Sequence, residues 1–123
     1  MYYVTATQTF SAAHSLRDYE GKCERLHGHN YRVEVTLKGP VLNKGGMVVD
    51  FTQLKQVLDK AIQRLDHQHL NQIKPFDKIN PTAENIAKLL YEEMVLKFSS
   101  QKVKVHEVRV WESEGCRASY APK

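Results

Sequence analysis

In the stretch "CERLHGHNYRVEVTLKG", His27 and His29 stand two residues apart at the head of an alternating run, and Cys23 lies four residues before His27. Residues i and i+2 of a strand project to one face, so two such imidazoles can share a metal ion, and a third from a neighbouring strand completes a facial triad. His14 meets that condition, because it shares the parity of Val4, Ala6, Phe10 and Ala12 in the opening run. Three neutral nitrogens suit Zn2+ and leave the fourth tetrahedral position for water or substrate. A His-x-His pair alone is as easily two ordinary histidines of a sheet; the third inward histidine favours the metal. Cys23 leaves two readings open. As a fourth ligand it closes the site into a structural knot, and as an unbound neighbour it is a thiolate whose pKa nearby positive charge lowers. The open site is favoured, because structural zinc sites usually draw on more than one cysteine.

Two further groups carry chemistry. In "LDHQHL", Asp66 and His67 are adjacent; a carboxylate that orients an imidazole makes a proton shuttle near neutral pH. Their hydrogen bond requires the helix to end there, since adjacent helical residues point in different directions. The alternative is a surface helix end whose dipole favours His67, and His69 competes for either role. Glu112 shares the parity of Val108 and Val110, which sets a carboxylate on an apolar face. It either anchors a ring edge with two parallel N–H donors or pairs with an arginine such as Arg109 or Arg117.

These residues must be held by a small set of elements. Residues 2–15 and 27–38 alternate as half-buried strands. "LRDYEGKCERL" reads as a long polar connection between them. Asp50 caps a helix with the apolar stripe Phe51, Leu54, Leu58, Ala61, Ile62 and Leu65. Pro81 or Thr82 opens a second, with the stripe Ile86, Leu89, Leu90, Met94 and Phe98. In "KVKVHEVRVWE" the apolar phase slips near His106 and Glu107, which predicts a bulge, and "CRASYA" is a short last strand. The order strand, strand, helix, helix, strand, strand implies an α+β fold, an antiparallel sheet with both helices on one face.

Length and composition set the remaining bounds. At 123 residues, 41% hydrophobic and 26% charged, the chain reads as one folded domain over residues 1–123, neither disordered nor repetitive. The net charge of +4 is spread without a basic run, so a small phosphorylated substrate fits better than nucleic acid. No apolar run approaches a membrane span and the start does not resemble a signal peptide, so a cytoplasmic protein without a membrane partner is expected. Two cysteines are too few for a disulfide framework. Cys116, following Gly115, reads as a small residue at a tight turn.

Taken together and in order, "FSAAHSL", "CERLHGHNY", "VVDFTQLK", "LDHQHLN", "NPTAENIA" and "VWES" resemble the 6-pyruvoyl-tetrahydropterin synthase family over nearly the whole chain. The short interval from Cys23 to the histidines is similar to the bacterial 6-carboxy-tetrahydropterin synthase branch, which acts in queuosine and deazapurine biosynthesis. The resemblance implies the tunnelling fold, whose four-stranded antiparallel sheets join across three subunits into a barrel, with two trimers stacked into a homohexamer. It implies zinc on His14, His27 and His29, Cys23 as base, and Asp66 with His67 as a proton relay given by a neighbouring subunit. It further implies that Glu112 grips the pterin of 7,8-dihydroneopterin triphosphate, assisted by Thr82 and Glu84, with Arg17, Lys22 and Arg25 near the triphosphate. Ser113 departs from the family's more usual threonine. The rival readings are the pyruvoyl-forming synthase and a non-catalytic, zinc-stabilised oligomer that binds a pterin.

Overall fold

In a computed structural model, which describes residues 1–18, 24–100 and 102–123, the two alternating runs become the two longest strands. β1 (Tyr2–His14) and β2 (His27–Gly39) pair antiparallel along their full length, with His14 directly opposite His27. Ala6, Phe10, Ala12 and His14 of β1, and Tyr31, Val33, Val35 and Leu37 of β2, are buried, so the face expected from the alternation is the core face. β4 (Lys104–Ser113) pairs antiparallel with β2, and β5 (Cys116–Tyr120) with β4 through a two-residue turn at Glu114–Gly115.

Both helices lie over that face and share one core with it. α1 (Phe51–Gln63) is capped by Asp50, whose carboxylate accepts from the Thr52 N–H, and it buries Leu54, Leu58 and Ile62. α2 (Ala83–Lys97) is capped by the Thr82 hydroxyl, which accepts from the Asn85 N–H, and it buries Ile86, Leu90 and Met94. Thr82, with its extended backbone, is thus the cap, and the helix begins one residue later. Arg64 near the end of α1 pairs with Glu93 of α2. No helix among the described residues is long and apolar enough to cross a membrane.

The sheet departs from four strands in one respect. A two-residue strand, β3 (Gln68–His69), pairs parallel with Ala12–Ala13 and gives the order β3-β1-β2-β4-β5. It forms because α1 ends at Gln63 and the chain turns back through His67 at φ 58°, a left-handed conformation that histidine tolerates better than branched residues. β4 carries two irregularities. Thr36 pairs with Glu107 and Leu37 with Val105, so His106 is the extra residue of a bulge, as the phase slip predicts. On the other edge Trp111 pairs with Arg117 and Ser113 with Cys116, which leaves Glu112 without a partner on β5.

Candidate active site

Four side chains converge at one end of the sheet. His14 ends β1, His27 and His29 begin β2, and Glu112 stands in the second irregularity of β4. One donor atom from each lies within 4.8 Å of the other three. His14 Nε2 is 3.1 Å from His27 Nε2, and His29 Nε2 is 3.1 Å from Glu112 Oε1. For metal–ligand bonds of 2.0–2.1 Å, a tetrahedral site has donor–donor edges of about 3.3 Å, so these separations fit a single first-row ion.

The ring orientations strengthen that fit. His14 Nδ1 lies 2.7 Å from the Pro81 carbonyl oxygen and His27 Nδ1 lies 2.8 Å from that of Arg25. A carbonyl oxygen only accepts, so each Nδ1 carries the proton and each Nε2 presents a lone pair. Two lone pairs facing each other at 3.1 Å repel unless a cation lies between or beside them. Among the described residues His29 Nε2 is buried without a hydrogen bond, because its approach to Glu112 is close in distance but poorly aligned. Burial above all lowers the His29 pKa, with Glu112 opposing and the other two histidines adding to the fall, so the ring stays neutral and able to ligate at neutral pH. Tyr31, fully buried, places its hydroxyl 3.1 Å from His14 Nδ1. Its own pKa is pushed up by burial and by Glu112, so it remains a neutral phenol.

The segment Asn80–Thr82 holds much of this in place. Pro81 orients His14 through its carbonyl, and Thr82 caps α2. Asn80 makes a reciprocal pair with Arg17: its Oδ1 accepts from the Arg17 N–H at 2.8 Å and its Nδ2 donates to the Arg17 carbonyl at 2.9 Å. Asn71 treats Ser15 in the same way, and Asn85 donates to the Asn80 carbonyl. The Arg17 guanidinium donates to the carbonyls of Phe76, Asn71 and Ile79. Arg17, expected near the triphosphate, thus spends three of its five guanidinium N–H groups on bracing this loop. None of Pro81, Asn80 or Asn71 was among the expected site residues; the asparagines of "NPTAEN" were the available signal.

Asp66 and His67 form the expected pair, with His67 Nδ1 3.0 Å from Asp66 Oδ1. The reversal at His67 makes it possible, since the ring folds back over the preceding carboxylate. Asp66 also accepts from the Ser11 N–H at 3.0 Å, and the His67 N–H donates to the Ser11 carbonyl. The Ser11 N–H, and secondarily His67, hold the Asp66 carboxyl below its usual range. His67 is 82% exposed and is not among the four converging donors. It shares with His29 and His69 the wall of a cavity of about 480 Å³, where His69 Nε2 is buried without a partner among the described residues.

Glu112 makes no ion pair with Arg109, which instead bonds Glu107 and approaches Glu34. It borders a second cavity, of about 240 Å³, together with Ala83, Glu84, Cys116 and Arg117. Glu84, expected as a substrate contact, therefore faces the same space as Glu112, whereas Thr82 has its hydroxyl engaged by the helix. Cys116 is exposed and opens β5 just after the turn. Cys23 and Lys22 lie outside the described residues.

Comparison with known proteins gives concordant results. The profile of the family described as 6-pyruvoyl tetrahydropterin synthase matches residues 3–123. A relative from Pyrococcus furiosus, named dihydroneopterin monophosphate aldolase, is 40% identical over 104 residues, covering 85% of this chain and 83% of its own. One from Rickettsia bellii, named 6-carboxy-5,6,7,8-tetrahydropterin synthase, is 34% identical over 125 residues, covering 87% and 91%. Among solved structures, the 6-pyruvoyl tetrahydropterin synthase of Caenorhabditis elegans superposes with a TM-score of 0.86 at 27% identity, over 99% of this chain and 96% of that one.

Proposed function

The chain belongs to the 6-pyruvoyl tetrahydropterin synthase family, and on that premise we propose that it is a zinc-dependent lyase. The reaction proposed takes 7,8-dihydroneopterin triphosphate and water to 6-carboxy-5,6,7,8-tetrahydropterin, acetaldehyde and triphosphate, within queuosine and 7-deazapurine biosynthesis. The observation that carries the reading is the facing pair of His14 and His27 Nε2 lone pairs, joined by His29 and by Glu112, which also borders a cavity with Glu84.

His14, His27 and His29 would hold zinc, which when bound lowers the pKa of the substrate's side-chain hydroxyls and polarises a ketone at the same carbons. Glu112 and Glu84 face a cavity of about 240 Å³ and would receive the N–H donors of the pterin ring. Cys23 would take the carbon-bound proton next to the ring, in the role of base. Asp66 holds His67 with Nδ1 protonated, so His67 Nε2 is free to deliver or accept a proton as triphosphate leaves. The dyad is anchored at Ser11, three strand residues or about 10 Å from His14. That separation supports a relay supplied by a neighbouring subunit, in a homohexamer built as a dimer of trimers. Arg25 and Lys22 are the basic residues left to attract the triphosphate.

The short interval from Cys23 to the histidines, together with the Rickettsia bellii relative, favours the carboxy-forming branch over the pyruvoyl-forming one. The test is mass spectrometry of products from zinc-loaded protein and 7,8-dihydroneopterin triphosphate. The proposal expects the 6-carboxy product with acetaldehyde and triphosphate. A 6-pyruvoyl product would overturn the branch and keep the chemistry of the site. Cleavage of the monophosphate alone would favour the aldolase reading that the Pyrococcus furiosus relative suggests. No turnover with metal bound would leave a pterin-binding oligomer.

A further inference from the structure

Glu112 stands between two places. Its carboxylate is 3.1 Å from His29 Nε2 and within 4.8 Å of a donor atom of each of the three histidines, yet it also lines the cavity shared with Ala83, Glu84, Cys116 and Arg117. The first position suits a metal ligand and the second a substrate anchor. One carboxylate serves both poorly at once, because a ring edge bound through two parallel N–H donors takes the favoured lone pair of each oxygen and fixes the plane of the group toward the ring.

The backbone supports a side chain that moves between them. Glu112 is the unpartnered residue between Trp111↔Arg117 and Ser113↔Cys116, so no cross-strand neighbour on β5 packs it into one rotamer. Its side chain is about one third exposed and, among the described residues, has no ion pair other than the His29 contact. Glu84, on the first turn of α2, brings a second carboxylate to the cavity, so that a positively polarised ring edge is attractive there even before Glu112 arrives.

We infer that Glu112 is the fourth metal ligand of the substrate-free protein and leaves the metal when it takes hold of the pterin ring. This rests on the functional reading above and adds a coupling to it. The open coordination position that the reaction needs is created by recognition of the ring. In the resting protein the same carboxylate closes the position and neutralises charge in a site otherwise built of neutral imidazoles. A ligand that lacks the ring, even one with suitable hydroxyls, then meets a closed metal.

Cobalt(II) loaded in place of zinc reads coordination directly through its visible absorption, without turnover. The wild-type spectrum should differ from that of Glu112→Gln, whose cobalt affinity should fall at least tenfold in chelator competition. Glu84→Gln should leave the spectrum as in wild type. Unsubstituted pterin, which has no side chain to reach the metal, should shift the wild-type spectrum toward that of Glu112→Gln and leave the Glu112→Gln spectrum unmoved. Identical spectra and affinities for wild type and Glu112→Gln would overturn the ligand role. Pterin that binds, as read by its own fluorescence, without moving the wild-type spectrum would overturn the exchange and leave the functional reading standing. Pterin that does not bind at all would overturn the functional reading and the exchange together.

Discussion

Replacing Asn80 by alanine should weaken metal binding although Asn80 touches no ligand. The side chain makes two hydrogen bonds to the Arg17 backbone, at 2.8 and 2.9 Å, and the next residue supplies the carbonyl that orients His14. Each bond contributes about 1 kcal/mol, and the partly buried Arg17 N–H and carbonyl left behind add about 1–2 kcal/mol more, so the variant should lose about 3–4 kcal/mol of folding stability in the metal-free state. Freed from Arg17, the segment no longer fixes the Pro81 carbonyl against His14 Nδ1. Loss of such an outer partner typically costs 10–100-fold in metal affinity, and we expect a loss of about that size. The first quantity is read by urea denaturation of the metal-free protein at one fixed protein concentration, since any self-association would make the midpoint concentration-dependent. The second is read by zinc competition with a chromophoric chelator. Stability within about 0.5 kcal/mol of wild type, the scatter of an ordinary surface substitution, together with unchanged zinc affinity, would refute the idea that this segment positions the ligand.

Cys23→Ala should keep zinc and lose turnover by about 100-fold or more, as expected for loss of a base; loss of zinc with full turnover once metal is restored would refute the role. Asp66 has a depressed pKa in the fold, so its contribution to stability is present above about pH 4, the usual range, and is lost as pH falls through the depressed value. Asp66→Asn should therefore be less stable than wild type at pH 6 and converge with it in acid, and a gap that stays constant down to pH 2 would contradict this. Gly39→Ala would set a Cβ 2.5 Å from the Lys102 carbonyl oxygen. Because the clash is with backbone, it should lower stability by about 1–3 kcal/mol in a denaturant melt, and an unchanged midpoint would show that the 102 region gives way.

The parts of the site that follow from alternation were legible in the sequence. His14, His27 and His29 lie on the core parity of β1 and β2, and pairing along 13 residues of each strand carries that parity to the end where the rings meet. The bulge at His106 announced itself as a slip of the apolar phase. What alternation could not carry stayed hidden. The acceptor for His14 is the main-chain carbonyl of Pro81, which has no side-chain signature, and the bracing by Asn71 and Asn80 depends on loops brought together over more than fifty residues of chain. β3 is two residues long, too short for any period. The parity of Glu112 with Val108 and Val110 set its carboxylate on the core face, but the missing β5 partner beside its approach to His29 has no apolar signature.

The single extra residue at His106 has a consequence for how this site can change over time. Before it, Val105 faces the core; beyond it, Val108 and Val110 do, and Glu112 follows in the same phase. Were the bulge straightened with His106 kept as an ordinary strand residue, Glu107, Arg109 and Trp111 would turn toward the core and Glu112 would turn away from the histidines. A one-codon deletion at His106 would therefore remove only the bulge and keep Val105, Val108, Val110 and Glu112 on one face, whereas a one-codon loss between Val108 and Glu112 would turn every residue after it to the other face. Descent within such a lineage should tolerate varied side chains at His106, and even its loss, while conserving the count of residues from Val108 to Glu112, and an alignment gap placed one residue off there would set Trp111 or Ser113 where the carboxylate stands.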